Sequence, residues 1–366
     1  MSMPPIAFID EPLLARVHRL ASPAYRVTPP AIHAPARSRP TTPDALQAVW
    51  NRGMMGVRAV DVYRLRDVYV CGEGLVFDAQ GQVYRTTIGQ HSAAQIAMAA
   101  QMVNRARRAR AQVGFAGAVV LCKKASGRGF SDWLLDMLPR AVLARTQLQP
   151  ALQLAGLRYI ISGQAGFLRA AMFDALALAG IHPADIIEAD AAPRFFEDLI
   201  LIDGISDPGQ YLSPLAISCL EQWIERIPTG QAAQLYLTRR NAASRRLVNE
   251  AALIRIAERE GYVVVDPTQT PLVQRIGMFK GARRIAGVVG AGMIHAMFMP
   301  RGGQVRLFMP GGMADPLHWF VSQIRGHDYA EQRCAELPAD RGEDASRGEA
   351  DITISPTAFR RFIQLP

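Results

Sequence analysis

The sequence predicts an α/β protein of two tandem sheets, with an extended arm and a small β segment ahead of them. Three observations lead there. From about residue 115, short apolar runs alternate with longer amphipathic ones, the pattern of parallel strands covered by helices. That alternation occurs twice, restarting near Ser206. The chain has 366 residues, more than a single hydrophobic core usually serves. The expected organisation is an arm over 1–45, an N-terminal α/β domain over 46–205, a C-terminal one over 206–334 and a polar tail over 335–366. A cleft between the two sheets is the expected site.

The arm carries Pro-Pro at 4–5 and 29–30 and a loose run, APARSRPTTPD, at 34–44. Proline fixes φ and removes a donor, so this reads as extended chain wrapping the surface. Asp67–Cys71, Gly74–Asp78 and Gln82–Thr86 alternate as strands, and Ala79–Gln80–Gly81 turns the last two into a hairpin. A polar-faced helix from Ser92 to about Gln112 ends on RARRAR, 105–110. In the first series the strands are Ala118–Cys122, Tyr159–Ser162, Asp185–Glu188 and Leu199–Ile202. Its helices are Ser131 to about Leu148 and Phe167–Ala179.

In the second series Ser213–Pro214 opens a helix to about Ile227, with proline at its first position. Strand Leu235–Thr238, helix Leu247–Glu260, strand Tyr262–Asp266 and helix Leu272–Gly281 follow, Gly261 ending the first of these helices. Strand Arg284–Val289 runs into Gly290–Ala291–Gly292 and a short helix to Phe298. Strand Gln304–Phe308 and helix Asp315–Arg325 close the series. The tail, with RGEDASRGEAD at 341–351, reads as mobile.

Composition removes several classes. Apolar residues make up 49% and charged ones 20%, which is a globular balance. No run of about 18 apolar residues lacks a charge, and Asp10 and Glu11 interrupt the start too early for a secretory signal. The four cysteines, at 71, 122, 219 and 334, are too dispersed for a zinc site or disulfide scaffold. A reduced, cytoplasmic setting is the expectation. Net charge is +9, and lysine occurs only at 123, 124 and 280, so arginine carries 38 of the 41 basic side chains. Guanidinium pairs two-pronged with phosphate, which suits a phosphate-bearing substrate or an anionic membrane surface; a GC-rich genome would give the same bias. No basic stripe is interleaved with aromatics, so nucleic acid is not an expected partner.

Three segments carry chemistry. In TRRNAASRRLVNE, 238–250, a strand ends, a polar loop follows and a helix begins. Ligands bind α/β sheets at the carboxyl ends of strands, so four arginines there make a cradle for phosphate; a solvated loop paired with acids such as Glu250 is the plainer reading. In RIAGVVGAGMIH, 284–295, an apolar strand meets a glycine turn and a helix N-terminus, where backbone amides can hold a diphosphate. A ligand-free tight turn is the alternative. The match to a nicotinamide-binding G-x-G-x-x-G is poor, because His295 stands at the third glycine and no acid follows at the ribose spacing. In GRGFSDWLLDMLPR, 127–140, Asp132 and Asp136 lie four apart on one helix face near its start. A carboxylate there is a candidate general base; helix capping is the plainer role.

The order and content of these segments resemble glycosyltransferase family 61, known from capsular polysaccharide and exopolysaccharide biosynthesis. FSDWLLDMLPR, 130–140, is similar to its H-W-L-x-[ED]-x-L-P-R segment, and TRRNAASRRLVNE, 238–250, to its R-x-x-x-x-x-R-x-x-x-N-E segment. GYVVVDPTQTPLVQRIGMFKGA, 261–282, follows its Gly-aromatic strand and Gln helix. AGVVGAGMIHAMFMP, 286–300, follows its G-x-H-G-A-G-L-x-N-x-x-F-x-P segment. The likeness covers roughly residues 55–330. It implies a GT-B fold of two Rossmann-like domains facing a cleft, and transfer of a sugar from a nucleotide-sugar donor to a polysaccharide or lipid-linked glycan, with inversion, no divalent metal and no cofactor. Carried over by position, Arg239 and Arg245 hold the donor diphosphate, Asn249 and Glu250 order their loop, and Gly290, Ala291 and Gly292 line the donor. Asp136, or failing it Asp132, is the general base, while Trp133, Pro139 and Arg140 are structural.

The chain departs from the family pattern at several positions. Asp132 replaces the histidine before tryptophan, Val289 the histidine before Gly-Ala-Gly, and Val273 the glutamate before Gln274. His295 stands at the family's asparagine and Arg306 at the glutamate of its last strand; both are expected to face the diphosphate in place of the lost groups. The alternative these departures raise is a catalytically silent sugar-nucleotide binder or assembly protein of the same pathway. The RARRAR segment is a candidate peripheral contact with the inner face of a membrane, a solvated helix end being the plainer role.

Overall fold

The computed structural model describes residues 6–10, 15–34, 43–109, 114–337 and 348–366. It divides into two compact units. The first comprises Met1–Pro23, Val57–Ser206 and Leu215–Glu221; the second comprises Ala24–Gly56, Asp207–Pro214 and Gln222–Pro366.

In the first unit β1 (Arg16–Ser22) pairs antiparallel with β2 (Arg58–Cys71), a long strand of which the expected Asp67–Cys71 is only the end. The predicted hairpin is present as Leu75–Phe77 and Val83–Tyr84. Asp78 Oδ1 accepts from the amides of Gln80 and Gln82 to shape its turn. Helix α1 (Ala93–Arg108) opens on a capping box between Ser92 and Gln95. Strands β3 (Gly114–Cys122) and β4 (Arg158–Ser162) follow, then α2 (Gly166–Leu178), β5 (Ile186–Ala189) and β6 (Arg194–Asp203). Across the sheet the order is β2-β6-β3-β4-β5. The run from β6 to β5 is parallel, while β2 lies antiparallel to β6, so this sheet is mixed. Val119, Leu121, Ile160, Phe196 and Leu199 form one core cluster, and α1 packs Ile96, Ala99 and Val103 in a second against the end of β2 and the hairpin.

The second unit is built from β7 (Gln234–Leu237), α3 (Glu250–Arg259), β8 (Val263–Val265), α4 (Leu272–Gly281) and β9 (Arg284–Val288). A 3₁₀ helix, Ala291–Phe298, precedes β10 (Gln304–Pro310), α5 (Leu317–Arg325) and β11 (Asp328–Glu336). The strand order is β8-β7-β9-β10-β11, all parallel. From β7 the chain steps outward to β8 and returns on the other side of β7 as β9. That reversal is a topological switch point, where connections leave two adjacent strands toward opposite faces and open a crevice at their carboxyl ends. Ile285, Ala286 and Val288 of β9 are fully buried, as a central strand covered on both faces requires.

Two expectations change. The arm does not merely wrap the surface: Arg16–Ser22 joins the first sheet, and Ala31–His33 adds a parallel edge strand to β11 in the second. Pro4–Pro5 and most of the 34–44 run lie outside the described residues. The tail beyond 347 is folded rather than mobile. β12 (Ile352–Thr353) pairs antiparallel with β11, and α6 (Pro356–Ile363), capped by Ser355 with proline at its start, packs Phe359 on Phe308 and Tyr236. Ile352, Phe359, Phe362 and Ile363 are buried. Of the RGEDASRGEAD run at 341–351, residues 341–347 lie outside the described residues.

Candidate functional site

Strand β7 delivers Thr238 and Arg239 to the carboxyl edge of the second sheet, and β9 delivers Val289 and Gly290 beside them, because Leu237 and Gly287 are register partners. The crevice at the switch point therefore lies between the two motifs expected to hold phosphate. Their contact is close. A Cβ on Gly290 would sit 1.8 Å from Arg239 Nη1, so the guanidinium rests in the space that a side chain would fill. At Gly292 a Cβ would meet Pro267 and Leu237 at 2.7 to 3.3 Å.

Glu250 fixes the base of the loop. Its carboxylate is buried and accepts from the Tyr236 hydroxyl at 3.0 Å, the Thr238 hydroxyl at 2.8 Å and the Arg239 amide at 3.1 Å. It is thus a structural acceptor for the loop, which fits the ordering role expected for it. Burial first, and then the adjacent Glu250 carboxylate, raise the Tyr236 phenol well above its ordinary value, so the hydroxyl keeps its proton and donates. Asn249 orders a different stretch: its Nδ2 donates to the Ile354 carbonyl at 2.7 Å and ties the loop to the C-terminal segment.

The loop curls back on itself. Arg239 Nη2 donates to the Ser244 carbonyl at 3.0 Å. The next residue, Arg245, is held at φ 56°, a left-handed conformation that costs a side-chain-bearing residue about 1–2 kcal/mol. Both arginines are half-buried, and the Nε of each is enclosed with no hydrogen-bond partner among the described residues. Burial, and then repulsion from Arg245, push Arg239 down to about 10, with Glu250 and Asp351 opposing. The guanidinium stays charged at neutral pH. Two neighbouring cations with unused donors, one of them seated over a glycine turn, form a site suited to an anion.

His318, which the sequence reading did not single out, completes this edge. It lies in the first turn of α5, is buried, and donates from Nε2 to the Gly290 carbonyl at 3.1 Å. Burial first lowers its imidazole, and Arg245 and Arg239 add to that, against Asp315 and the bond to Gly290. The neutral ring pins the bend from beneath. No local motif marks His318; only the fold brings α5 under the bend.

His295 and Arg306 are not brought to the arginine pair. The His295 ring packs between Phe279 and Phe298 on the side of the 3₁₀ helix that meets α4, with Nδ1 donating to Gly292 O at 3.0 Å. Burial, then Arg275, push it down to about 3, so it is neutral. Arg306 lies mid-strand opposite Ala286 and Ala330, and is 1% exposed. Its guanidinium donates to Asp328 Oδ2 at 2.5 Å and to the Pro366 carbonyl at 2.8 Å. Its strand position, two residues before Phe308 on the face that α6 covers, turns it away from the carboxyl edge.

In the first unit the candidate acids lie on a helical run, 130–151, that contains two π turns, Trp133–Met137 and Ala144–Leu148. Asp136 falls inside the first and is 2% exposed. Its Oδ2 accepts from Lys124 Nζ at 3.0 Å and Ser206 Oγ at 2.7 Å, and its Oδ1 from Arg140 Nε at 2.9 Å. Burial acts to raise this carboxyl, but Arg140, Lys124 and the Ser206 hydroxyl outweigh it and hold it below its ordinary value. Asp136 is therefore a saturated buried anion, anchoring Lys124, Arg140 and Ser206. Asp132, one turn earlier, is half-buried. Trp133 and Pro139 are buried as expected of structural positions. At the end of α1, Arg105, Arg107 and Arg108 occupy the last turn, where cations offset the helix dipole. Among the described residues no helix is long and apolar enough to cross a membrane.

No curated protein matches the chain significantly. The glycosyltransferase 61 family model matches residues 130–306, a span that opens just before Asp132 and contains Arg239, Arg245, Glu250 and the 290–292 bend. Over that span, just under half of the chain, the sequence matches glycosyltransferase family 61, a family of sugar-transferring enzymes.

Proposed function

We propose that the protein moves a sugar from a nucleotide-sugar donor to a growing polysaccharide or lipid-linked glycan, in capsular or exopolysaccharide synthesis. The second unit is the donor side and the first the acceptor side. The observation that carries this reading is the seat of Arg239 over the Gly290 bend at the switch point, with Arg245 near enough to repel it. Two guanidiniums and the amides of residues 290–292 neutralise a departing diphosphate, the role a divalent metal would otherwise fill. An acceptor hydroxyl attacks the anomeric carbon, the bond from that carbon to the diphosphate oxygen breaks, and the hydroxyl proton passes to a carboxylate. One displacement inverts the anomeric centre.

Asp132, half-buried where Asp136 is 2% exposed, suits the base better because an acceptor hydroxyl can approach it. Asp132→Asn is expected to cut transfer about a hundredfold with nucleoside diphosphate affinity unchanged; full turnover would move the base elsewhere. A second reading, a silent sugar-nucleotide binder, is favoured by one observation: His295 and Arg306, the candidate replacements for lost family groups, are committed to packing and to the C-terminal segment. Incubation with a panel of nucleotide sugars and glycan acceptors separates the two. Released nucleoside diphosphate supports the enzyme, and tight binding without release supports the binder. In either case the site is cytoplasmic, with the arginines at the end of α1 as a peripheral contact for an anionic membrane face.

A further inference from the structure

The residues that shape Arg245 lie beyond the family match. Arg245 N donates to the Glu349 carbonyl at 3.2 Å, and Ile352 N donates to the Arg246 carbonyl at 2.8 Å. Val248 N donates to the Ile352 carbonyl at 3.0 Å, and Leu247 and Ile352 form a parallel bridge. The C-terminal segment thus runs as a short strand alongside residues 245–248. At its centre Asp351 accepts from the Arg246 amide at 2.8 Å through Oδ1, and from the Arg246 guanidinium at 2.9 and 2.5 Å through Oδ2. Arg245 sits next to this clamp at φ 56°, and its preceding carbonyl is gripped by Arg239. An arginine released from such restraint returns to an ordinary conformation. The segment is itself secured by buried Phe359, Phe362 and Ile363 and by Asn249 on the Ile354 carbonyl.

We infer that Asp351 is a positioning residue of the diphosphate pocket: by clamping Arg246 to the C-terminal segment, it keeps Arg245 in the left-handed conformation that sets its guanidinium beside that of Arg239. This rests on the reading of the arginine pair as a diphosphate site. The pocket is therefore completed by a stretch of chain about a hundred residues from the loop it shapes, outside the residues the family shares.

The test is calorimetry on the full chain with inorganic pyrophosphate as the probe, comparing Asp351→Ala and Asp351→Asn with Arg239→Ala and Arg245→Ala. Both Asp351 variants are expected to bind pyrophosphate about tenfold more weakly. Their binding is also expected to be less sensitive to added salt, because one fewer cation faces the anion. A loss of packing alone would lower the melting temperature without changing that salt dependence. Asp351→Asn, which keeps the shape of the side chain, carries the test if the alanine variant folds poorly. Wild-type affinity and salt dependence in the Asp351 variants, with binding lost in Arg239→Ala, would overturn the clamp and leave the pocket standing. Wild-type affinity in Arg239→Ala and Arg245→Ala would overturn the pocket, and the clamp with it.

Discussion

Gly290→Ala tests the donor pocket without removing any charge from it. The backbone at Gly290 has φ 163° and ψ 176°, extended values that alanine adopts, so no conformational strain opposes the change. The new methyl would lie 1.8 Å from Arg239 Nη1 and 2.9 Å from its Cζ. Ordinary contact is about 3.5 Å, so the guanidinium retreats by roughly 1.5 Å or more, beyond hydrogen-bond reach of an anion on the bend. One charge-assisted bond is worth about 1.5–3 kcal/mol, which weakens nucleoside diphosphate binding about ten- to a hundredfold. Folding stability should barely change. Restricting the unfolded chain contributes about 0.4–1 kcal/mol, and this offsets the loss of one ordinary bond from Arg239 to Ser244, about 1 kcal/mol. Calorimetric titration reads the affinity and a melting curve reads the stability. Unchanged affinity in Gly290→Ala would refute the placement of Arg239 over the bend.

The other outcomes concern stability. Asp136→Asn should cost about 3–5 kcal/mol at pH 7, because it leaves Lys124 and Arg140 facing each other without their buried anion. The fold holds the Asp136 carboxyl below its ordinary value, so its contribution is complete above about pH 4 and drains away as the pH falls through the folded value. The deficit of the Asn variant should therefore shrink in denaturant titrations at pH 3, and a deficit equal at both values would refute the assignment. Glu250→Ala should cost about 3 kcal/mol by stranding the buried Tyr236 and Thr238 hydroxyls and the Arg239 amide; a melting temperature within a degree or two of wild type would contradict this.

The second sheet was readable because its strands are short apolar runs between glycines, prolines and amphipathic helices, and each of β7 to β10 lies within a residue or two of the expected span. The first sheet was less so. The 14-residue strand Arg58–Cys71 carries Arg58, Asp61, Arg64, Arg66 and Asp67 among its apolar residues, and only its end showed clean alternation. Its charges are neutralised across the ladder, Arg64 by Asp198 and Asp61 by Arg19, which a single stretch of sequence does not reveal. In the tail, a helix signal follows directly on the polar run at 341–351. Ser355–Pro356, with Phe359, Phe362 and Ile363 at helical spacing, announces a capped amphipathic helix. Within the site, Arg239, Arg245 and Gly290 were legible because their chemistry is local to two motifs. His318 and Asp351 were not, because each acts through a contact made only by the tertiary fold. Arg306 misled for the same reason: its residue type suits phosphate, but its strand position buries it against the C-terminal helix.

The enclosed pair of guanidiniums has a cost that falls on the protein at rest. Arg239 and Arg245 repel each other inside a half-buried loop, and Arg245 is kept in a conformation that it would leave if released. Selection for a sturdier unliganded chain would remove one of the two cations first. Two cations in a loop where neutral residues would fold more comfortably trade resting stability for readiness to hold a transient charge.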